Sequence, residues 1–365
     1  MSKLLNKIYE SIANGSPFVA YRKPNQEQVK LVIKNDDRLH TVTDYTESGF
    51  ILAPFDSEQT AVIIPFDEVV NEKVNPIPIA ITSEVFPEIS PESKIQYEKL
   101  VQKGIDAIHD KHYDKVVLSR VHETELKDIT IPELYHKLLS NYPTAFVYVF
   151  SHPKVGCWLG ATPEKLIQID GKVGKTMALA GTQPFSDDIK WEQKEEEEQQ
   201  FVTDFIVDTL ANIGATSRTS DVYTVQAGNL AHLRTDINFH LGKEVALKQV
   251  LEALHPTPAV SGLPKETSKA FILDHEGYER AFYTGFLGEL NIQNERSRNK
   301  RNTENKAYNF NKNSSDLYVN LRCMQLQNEK VFIYTGGGIT KDSIPEKEYE
   351  ETVNKSLTIL RVLSS

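Results

Sequence analysis

The most constraining feature of this sequence is a succession of short apolar runs separated by turn-forming residues. In the first 90 residues these runs are Phe18–Tyr21, Val29–Ile33, Phe50–Pro54 and Ala61–Pro65. Short apolar runs between turn signals are typical of β-strands. Further runs of this kind are Val116–Val121, Ala145–Ser151, Val155–Leu159 and Lys165–Ile169. The sequence therefore predicts large β-sheets.

Two amphipathic segments lie between these strands and predict helices. The first extends from about Pro91 to His109, and its apolar stripe consists of Ile95, Leu100, Ile105 and Ile108. The second lies near Ile131–Ser140. Antiparallel-looking strands mixed with amphipathic helices predict an α+β fold. No linker rich in Pro, Gly or Ser divides the chain, so we expect one folded unit, or two intertwined halves.

Composition argues against several classes of protein. The 365 residues carry 41 Lys and Arg against 51 Asp and Glu, and the net charge of −10 argues against a chain devoted to nucleic acid. No run of about 18 apolar residues is present, so we expect no membrane-spanning helix. Charged and polar residues already occur within Met1–Lys7, before the apolar core of a signal peptide could form. Cys157 and Cys323 alone cannot form a disulfide framework or a cysteine metal site. We expect a soluble, cytoplasmic monomer without nucleic-acid or membrane partners.

The segment Asn291–Asp316 differs from the rest of the chain. Its 26 residues include eight Asn and six Lys or Arg, and the strand-like runs Ala281–Leu290 and Leu317–Leu326 flank it. One interpretation is a patch for nucleic acid or an acidic partner. We favour a disordered insertion in a long hairpin, because few aromatic residues are interleaved for base stacking.

The acidic run Lys194–Glu198 begins a predicted helix. The apolar positions of this helix are Phe201, Val202, Phe205, Ile206, Leu210 and Ile213. Glu198 precedes Phe201 and Val202 by three and four residues, so it shares their core-facing stripe. A carboxylate on a buried face requires a cation or a proton. The alternative is that acidic residues simply favour the positive end of a helix.

The C-terminal segment predicts a second helix with carboxylates on one stripe. Glu348, Glu351 and Lys355 lie at positions i, i+3 and i+7. Together with Glu198, the two glutamates would form an oxygen-rich cluster suited to Mg²⁺. Ordinary surface ion pairs at the same spacing are the alternative.

Three glycines, Gly336–Gly338, follow the strand-like run Val331–Thr335. Their backbone N–H groups could surround a carboxylate or phosphate, and Arg322 on the preceding predicted strand would offer a bidentate partner to the same anion. The alternative is an ordinary glycine-rich turn.

Two further residues are candidates for acid–base chemistry. Lys115 precedes an apolar strand, where a lysine is either a surface residue or a desolvated general base. Glu164 lies in the turn Gly160–Glu164, at a loop tip where catalytic carboxylates are common.

These segments, in this order, resemble the chorismate-utilising enzymes. The matching pieces extend from Lys115 to Lys355, about two thirds of the chain. They are Lys115–Arg120 (KVVLSR), Gly160–Leu166 (GATPEKL), Ala178–Thr182 (ALAGT), Lys194–Glu198, Asn229–Leu233 (NLAHL), Leu254–Pro264 (LHPTPAVSGLP), Leu321–Cys323 (LRC), Gly336–Ile339 and Pro345–Lys355. The resemblance implies two packed, mainly antiparallel sheets flanked by helices. Residues 1–90 would be a β-rich part of that fold, and residues 91–365 the chorismate-binding region.

Residue choices within the family favour one branch. Water-using members carry a lysine where Lys115 stands, whereas the ammonia-using anthranilate and aminodeoxychorismate synthases lack it. Ala180 occupies the position of a nucleophilic lysine in some aminodeoxychorismate synthases. The stretch His255–Gly262 resembles isochorismate synthases. We therefore expect an isochorismate synthase of the menaquinone or siderophore type. A salicylate synthase is the alternative, and an anthranilate synthase-like subunit is less favoured.

The resemblance also assigns roles to individual residues. Lys115 would deprotonate the water that attacks C2 of chorismate, and Glu164 would protonate the departing C4 hydroxyl. Mg²⁺ on the ring carboxylate would be held by Glu198 and Glu351, with Glu348 in support. The enolpyruvyl carboxylate would be bound by Arg322 and the amides around Gly336 and Gly338. The remaining pocket residues would be Ala180, Gly181, Thr182, His232 and Lys355, the last balancing the metal carboxylates.

Overall fold

Period-2 alternation of large side chains gives the strands two different faces. In the strand Phe146–His152, the side chains of Phe146, Tyr148 and Phe150 join one buried cluster, and those of Val147 and Val149 join another. Both faces are apolar, so the strand must be covered on both sides. The same double-sided burial predicts layered sheets rather than one solvent-exposed sheet.

A computed structural model describes residues 3–74, 90–126, 129–186, 188–227, 230–294 and 312–364. Its strands form one nine-stranded sheet and one ten-stranded sheet. Within each sheet, the paired strands run antiparallel. In spatial order, the first sheet contains β15 (Gly262–Leu263), β7 (Lys115–Glu125), β19 (Lys330–Ile339), β18 (Cys323–Gln327), β9 (Gly156–Thr162), β8 (Phe146–His152), β1 (Phe18–Arg22), β2 (Gln28–Ile33) and β6 (Glu68–Lys73).

The second sheet follows the same antiparallel pattern. Its spatial order is β12 (Thr216–Thr219), β14 (Leu230–His240), β11 (Val173–Pro184), β10 (Lys165–Asp170), β17 (Lys312–Val319), β16 (Phe286–Asn294), β4 (Gly49–Ala53), β5 (Val62–Ile64) and β3 (His40–Thr41), with β13 (Tyr223–Ala227) paired to β14. The helices are α1 (Lys3–Ala13), α2 (Pro91–His109), α3 (Ile131–Asn141), α4 (Gln193–Asn212), α5 (Leu247–Leu254), α6 (Lys265–His275) and α7 (Pro345–Ser364).

The two sheets pack face to face, and helices cover their outer faces. Aromatic residues fill the space between the sheets, including Phe50, Phe146 and Trp158. Helices α1, α3 and α7 cover the first sheet, and helices α4 and α5 cover the second. The predicted α+β class, with two packed antiparallel sheets flanked by helices, is confirmed. No helix in the described ranges is long and apolar enough to cross a membrane.

The N-terminal region contributes strands to both sheets. Strands β1, β2 and β6 belong to the first sheet, and β3, β4 and β5 belong to the second. The division of the chain at residue 90 stays a prediction, because strand pairing in both sheets does not locate a boundary between two regions.

Three predicted strands have different limits in the structure. The run Ala281–Leu290 becomes a strand only at Phe286, after a turn. The run Leu317–Leu326 is divided between β17 and β18, which belong to different sheets. The run Val331–Thr335 continues through the glycines to Ile339. Apolar content alone does not reveal where a chain leaves one sheet and enters another.

The predicted insertion Asn291–Asp316 is partly strand. Its ends belong to β16 and β17, where Ile292 pairs with Ser314 and Gln293 pairs with Asn313. The prediction of disorder for this segment is therefore wrong at both ends. Residues 295–311 lie outside the described residues.

Candidate active site

One cavity collects most of the predicted site residues. It lies where β7 begins and β19 ends, beside the first turns of α4 and α7. Eleven of the thirteen predicted residues line it, and they are Glu164, Ala180, Gly181, Thr182, Glu198, His232, Arg322, Gly336, Gly338, Glu351 and Lys355. The other two, Lys115 and Glu348, lie directly behind this lining. The fold thus brings together residues from distant parts of the chain.

The glycines Gly336–Gly338 lie inside strand β19 and not in a turn after it, which corrects the sequence interpretation. Strand β7 pairs with β19 along its whole length, whereas β18 pairs with it only over Lys330–Ile333. In the described part of the chain, one edge of β19 beside the glycines has no strand partner. A Cβ at Gly338 would lie 2.5 Å from Glu198 Oε1. Only glycine leaves room for this carboxylate so close to the backbone.

Lys115 and Glu198 form an ion pair at the cavity wall. Lys115 is completely buried as the first residue of β7, and its Nζ lies 2.7 Å from Glu198 Oε1. Burial opposes ionisation of Glu198, but the charges of Lys115, Lys355 and Lys194 outweigh this effect and hold its pKa below the ordinary value. Glu198 is therefore an anion at neutral pH.

The sequence placed Glu198 on one core-facing stripe of α4 with Phe201 and Val202, and the structure confirms only part of that stripe. Val202 and Ile206 pack into the core on this face. Phe201, which the sequence placed on the same stripe, is 37% exposed. The buried positions of α4 follow Gln199, Val202 and Ile206, so the stripe is rotated away from Phe201.

The two glutamates of α7 also have lysine partners. Glu351 Oε1 lies 2.5 Å from Lys355 Nζ, which donates to Gly336 O at 2.8 Å. Glu348 Oε1 lies 3.0 Å from Lys194 Nζ. Burial and the nearby charge of Glu351 raise the pKa of Glu348. Each of the three predicted metal ligands is thus paired with its own lysine.

The donor chemistry of these carboxylates fits a hard divalent cation. Glu348 Oε2 is buried and has no hydrogen-bond partner within the described ranges. It lies 3.3 Å from the position that a Cβ would take at Gly337, and Glu351 Oε1 lies 3.6 Å from that position. Among the described residues, no three His, Cys, Asp or Glu side chains already converge as a metal site. The oxygen ligands that Mg²⁺ prefers are present, and lysines hold them.

Glu164 is buried between β9 and β10 and is not at an exposed loop tip, which corrects its predicted position. It is 5% exposed and lines the cavity. Burial raises the pKa of Glu164 to about 8, against the opposing charges of Lys115 and Arg322. Its carboxyl group is therefore mainly protonated at neutral pH and can donate a proton.

His232 offers the cavity a hydrogen-bond acceptor. Its Nδ1 lies 3.0 Å from the carbonyl oxygen of Gly181, which accepts from it, and 3.2 Å from Thr182 Oγ1. Burial and the charges of Arg322 and Lys355 lower the pKa of His232 to about 3, so the ring is neutral. With the proton on Nδ1, Nε2 carries a lone pair, and Nε2 has no partner in the described part of the chain.

Arg322 lies in the segment that connects a strand of the second sheet to a strand of the first. It is therefore not on a strand, which corrects its predicted position. It follows β17 of the second sheet, precedes β18 of the first sheet and has φ +49°. Its guanidinium lines the cavity and forms no ion pair or hydrogen bond with a described residue. A half-buried guanidinium without a partner is suited to bind a carboxylate.

Several lining residues were missed by the sequence interpretation. Thr335 is 4% exposed, and its Oγ1 has no hydrogen-bond partner in the ranges that the structure describes. Tyr283 and Thr284 also line the cavity. Thr335 directly precedes the glycines, and this position could have indicated that it belongs to the site. Tyr283 and Thr284 lay within a run that was interpreted as a strand, and nothing in that run indicated a role at the site.

Comparisons with known sequences identify related proteins. A profile described as chorismate binding enzyme matches residues 63–297, and a second profile with this description matches residues 307–361. The salicylate biosynthesis isochorismate synthase of Pseudomonas aeruginosa is 27% identical, over 76% of this chain and 56% of that protein. The vibriobactin-specific isochorismate synthase of Vibrio cholerae is 27% identical, over 78% of this chain and 70% of that protein. The chain thus spans 56% to 70% of the length of these relatives.

A solved structure has the same fold. It is described as a 2,3-dihydroxybenzoate-specific isochorismate synthase of Bacillus anthracis, and its TM-score with this chain is 0.77 at 22% identity. The match covers 98% of this chain and 99% of the other. The two chains therefore share the same fold.

Proposed function

The chain belongs to the chorismate binding enzymes, and on this premise we propose that it is an isochorismate synthase. The observation that carries the proposal is a carboxylic acid in the cavity wall with a buried amine directly behind that wall. Glu164 is a protonated carboxylic acid, and Lys115 is a buried amine held by Glu198. A carboxylic acid and an amine that can act as a base in its neutral form suit a reaction in which one hydroxyl group enters and another leaves. The names of the two bacterial relatives support the same assignment.

The substrate would be held mainly by its two carboxylates. Arg322 has a guanidinium without a partner among the described residues, and the glycines of β19 line the same cavity. These groups would bind the enolpyruvyl carboxylate. His232 Nε2 and Thr335 Oγ1 are buried without partners in the described ranges, and they would accept or donate hydrogen bonds to ring substituents.

The reaction would proceed by addition and loss of water. In its neutral form, Lys115 would take a proton from a water molecule whose oxygen forms a bond to C2. The ring double bonds shift, and the C4–oxygen bond breaks. Glu164 donates its proton to the departing hydroxyl, which leaves as water. Substrate and product are isomers, so no oxidant or second substrate is required.

Magnesium would be bound by the three glutamates of the cavity. Glu198, Glu351 and Glu348 supply the oxygen donors that Mg²⁺ prefers. When bound, the ion would neutralise the ring carboxylate and orient it. The lysines that now pair with these carboxylates would balance the remaining negative charge.

Product analysis tests the proposal and separates it from its alternatives. The purified chain is incubated with chorismate and Mg²⁺, and the products are separated. We expect the same chorismate–isochorismate mixture whether the incubation starts from chorismate or from isochorismate, because the two isomers differ little in bonding. Stoichiometric pyruvate with salicylate would instead identify a salicylate synthase. Anthranilate formed with ammonium ions would identify an anthranilate synthase-like subunit. Absence of any turnover would contradict the proposal. The menaquinone or siderophore pathway, the monomeric state and the cytoplasmic location stay predictions.

A further inference from the structure

A buried ion pair lies behind the cavity wall. Glu276 and Arg280 have side chains that are 1% and 2% exposed, and Arg280 Nε lies 2.7 Å from Glu276 Oε2. A second contact joins Arg280 Nη2 to Glu276 Oε1 at 2.5 Å. Neither residue lines the cavity. Taking both charges out of water is costly, so the pair needs further hydrogen bonds to be maintained.

The remaining donors of Arg280 reach three residues that do line the cavity. Its Nη2 donates to Val117 O at 2.7 Å, and its Nη1 donates to Val260 O at 2.9 Å. Nη1 also donates to Thr284 Oγ1 at 3.1 Å. Val117, Val260 and Thr284 come from three separate segments of the chain, and all three line the cavity. One guanidinium therefore fixes three parts of one wall.

Glu276 extends the same network to the glycine-bearing strand. Its Oε1 accepts from the N–H of Ser119 at 2.7 Å and from Ser119 Oγ at 2.8 Å. Ser119 stands opposite Gly336 in the pairing of β7 with β19. The pair thus fixes β7 at two points, Val117 and Ser119. Lys115 begins this strand two residues before Val117.

Thr284 adopts a backbone conformation that requires support. Its φ is +59°, which β-branched residues rarely adopt, and it is 1% exposed. Backbone strain of this kind persists where the surroundings fix it, and it is common at functional sites. The contact with Arg280 Nη1 is part of that support.

We propose that Arg280, held by Glu276, is a positioning residue that aligns the cavity wall and Lys115 for the reaction. This inference rests on the proposed function. Arg280 touches backbone oxygens and one hydroxyl, so it acts through Val117, Val260 and Thr284 and not on the substrate. Its planar guanidinium serves Glu276 and these three groups at once, which a lysine cannot do.

The test is the variant Arg280→Lys, with Arg22→Lys as matched control. Arg22 is also 2% exposed and donates to backbone oxygens, those of Leu139 and Tyr142, away from the cavity lining. We expect both variants to lower the melting temperature. Only Arg280→Lys should lower kcat, by about 10²-fold as expected for a misplaced catalytic group, with little change in KM. Chorismate binding, measured by calorimetry, should persist.

A second variant covers the case in which Arg280→Lys does not fold. Ser119→Ala deletes the hydroxyl's hydrogen bonds with Glu276 and Tyr278 without changing any charge, and it should lower kcat by several-fold at unchanged KM. Equal kcat in the Arg22→Lys and Arg280→Lys variants would overturn the inference. If Arg280→Lys does not fold, an unchanged kcat in Ser119→Ala would overturn it. A wild-type chain without chorismate turnover would instead refute the proposed function.

Discussion

At the scale of single residues, the burial of Lys115 is the least ordinary observation. Lysine is rarely fully buried, because its ammonium group loses strong hydration. Here the side chain is 0% exposed, and Glu198 compensates for the lost water. A lysine in the ordinary surface role would extend into solvent. The position of Lys115 is therefore better explained by chemistry at the cavity than by solubility.

Replacing Lys115 by Gln should lower turnover by about 10²-fold to 10⁴-fold, the usual contribution of a general base. Chorismate should still bind, because Arg322 is unchanged. Steady-state kinetics and calorimetry measure the two effects. The control is Lys330→Gln, since Lys330 begins the neighbouring strand and pairs with Glu123 at the surface. Undiminished turnover by Lys115→Gln would refute the role of Lys115 as base.

Glu164 leads to a prediction about pH. Its pKa is raised from 4.5 to about 8 by burial, so the acid form falls as pH rises through 8. The rate of the wild type should decrease over that range. Glu164→Gln cannot donate a proton and should be about 10²-fold slower at pH 7, with a difference that narrows as pH rises above 8. A wild-type rate that stays constant from pH 7 to pH 9 would contradict this assignment.

The same shift makes stability depend on pH. Between pH 4.5 and pH 8, the folded chain binds a proton at Glu164 that the unfolded chain has released. The stability from this group is fully present below pH 4.5 and is lost as pH rises through 8. The melting temperature of Glu164→Gln should therefore increase relative to the wild type between pH 5 and pH 9. A constant difference would show that Glu164 is not buried in its neutral form.

At the scale of secondary structure, the limits of helix α2 were predictable and those around β17 were not. The apolar stripe predicts a helix from about Pro91 to His109, and the structure confirms these limits, although Ile95 of that stripe is 51% exposed. Helix signals are local, because caps and periodicity lie within the element. The run Leu317–Leu326 is mostly apolar, yet the chain changes sheets within it at Arg322. That change depends on strand partners far away in sequence.

The glycines of β19 give a prediction for this element. Gly338→Ala would place a Cβ 2.5 Å from Glu198 Oε1 and 3.0 Å from Lys115 Cε. The flexible carboxylate can move, so the fold should survive, but turnover should fall by about 10-fold or more as Glu198 is displaced. Circular dichroism and kinetics separate the two effects.

The matched control lies one residue earlier on the same strand. Gly337→Ala would place its Cβ 3.3 Å from Glu348 Oε2, a contact that a small movement relieves. It should retain more activity than Gly338→Ala. The reverse order of activities would show that the space beside Glu198 does not matter.

At the scale of the whole molecule, the cavity requires both sheets and the helices outside them. Lys115 and the glycines come from the first sheet, His232 comes from the second, and Glu198 and Glu351 come from helices α4 and α7, which pack on different sheets. A divalent ion held by these helices would connect elements that pack on different sheets. Its binding should therefore stabilise the whole chain.

Magnesium should raise the melting temperature, and chelation with EDTA should abolish turnover. A ligand present at 100 times its Kd stabilises the folded state by about 2.7 kcal/mol. Glu351→Gln should lose both effects. Glu123→Gln, at a surface pair with Lys330, should keep them. Full turnover after chelation would refute the metal site.

The sequence alone determined the fold class, the family and most of the residues around the cavity. Alternating apolar residues specify strands through a local period of two, and ordered motifs such as Gly160–Leu166 identify the family without any knowledge of contacts. Residues that carry a family motif are found this way even when their neighbours in space are unknown.

Only the tertiary structure decided the partners and environments of these residues. Lys115 and Glu198 lie 83 positions apart in sequence, and nothing near either residue indicates that they meet. The glycines became part of a strand because β7 pairs with them, and Glu164 became buried because β9 and β10 enclose it. The pair of Glu276 and Arg280 carries no motif that the sequence interpretation identified. Burial and long-range pairing arise when distant segments pack together, and they set the charge and position of each side chain.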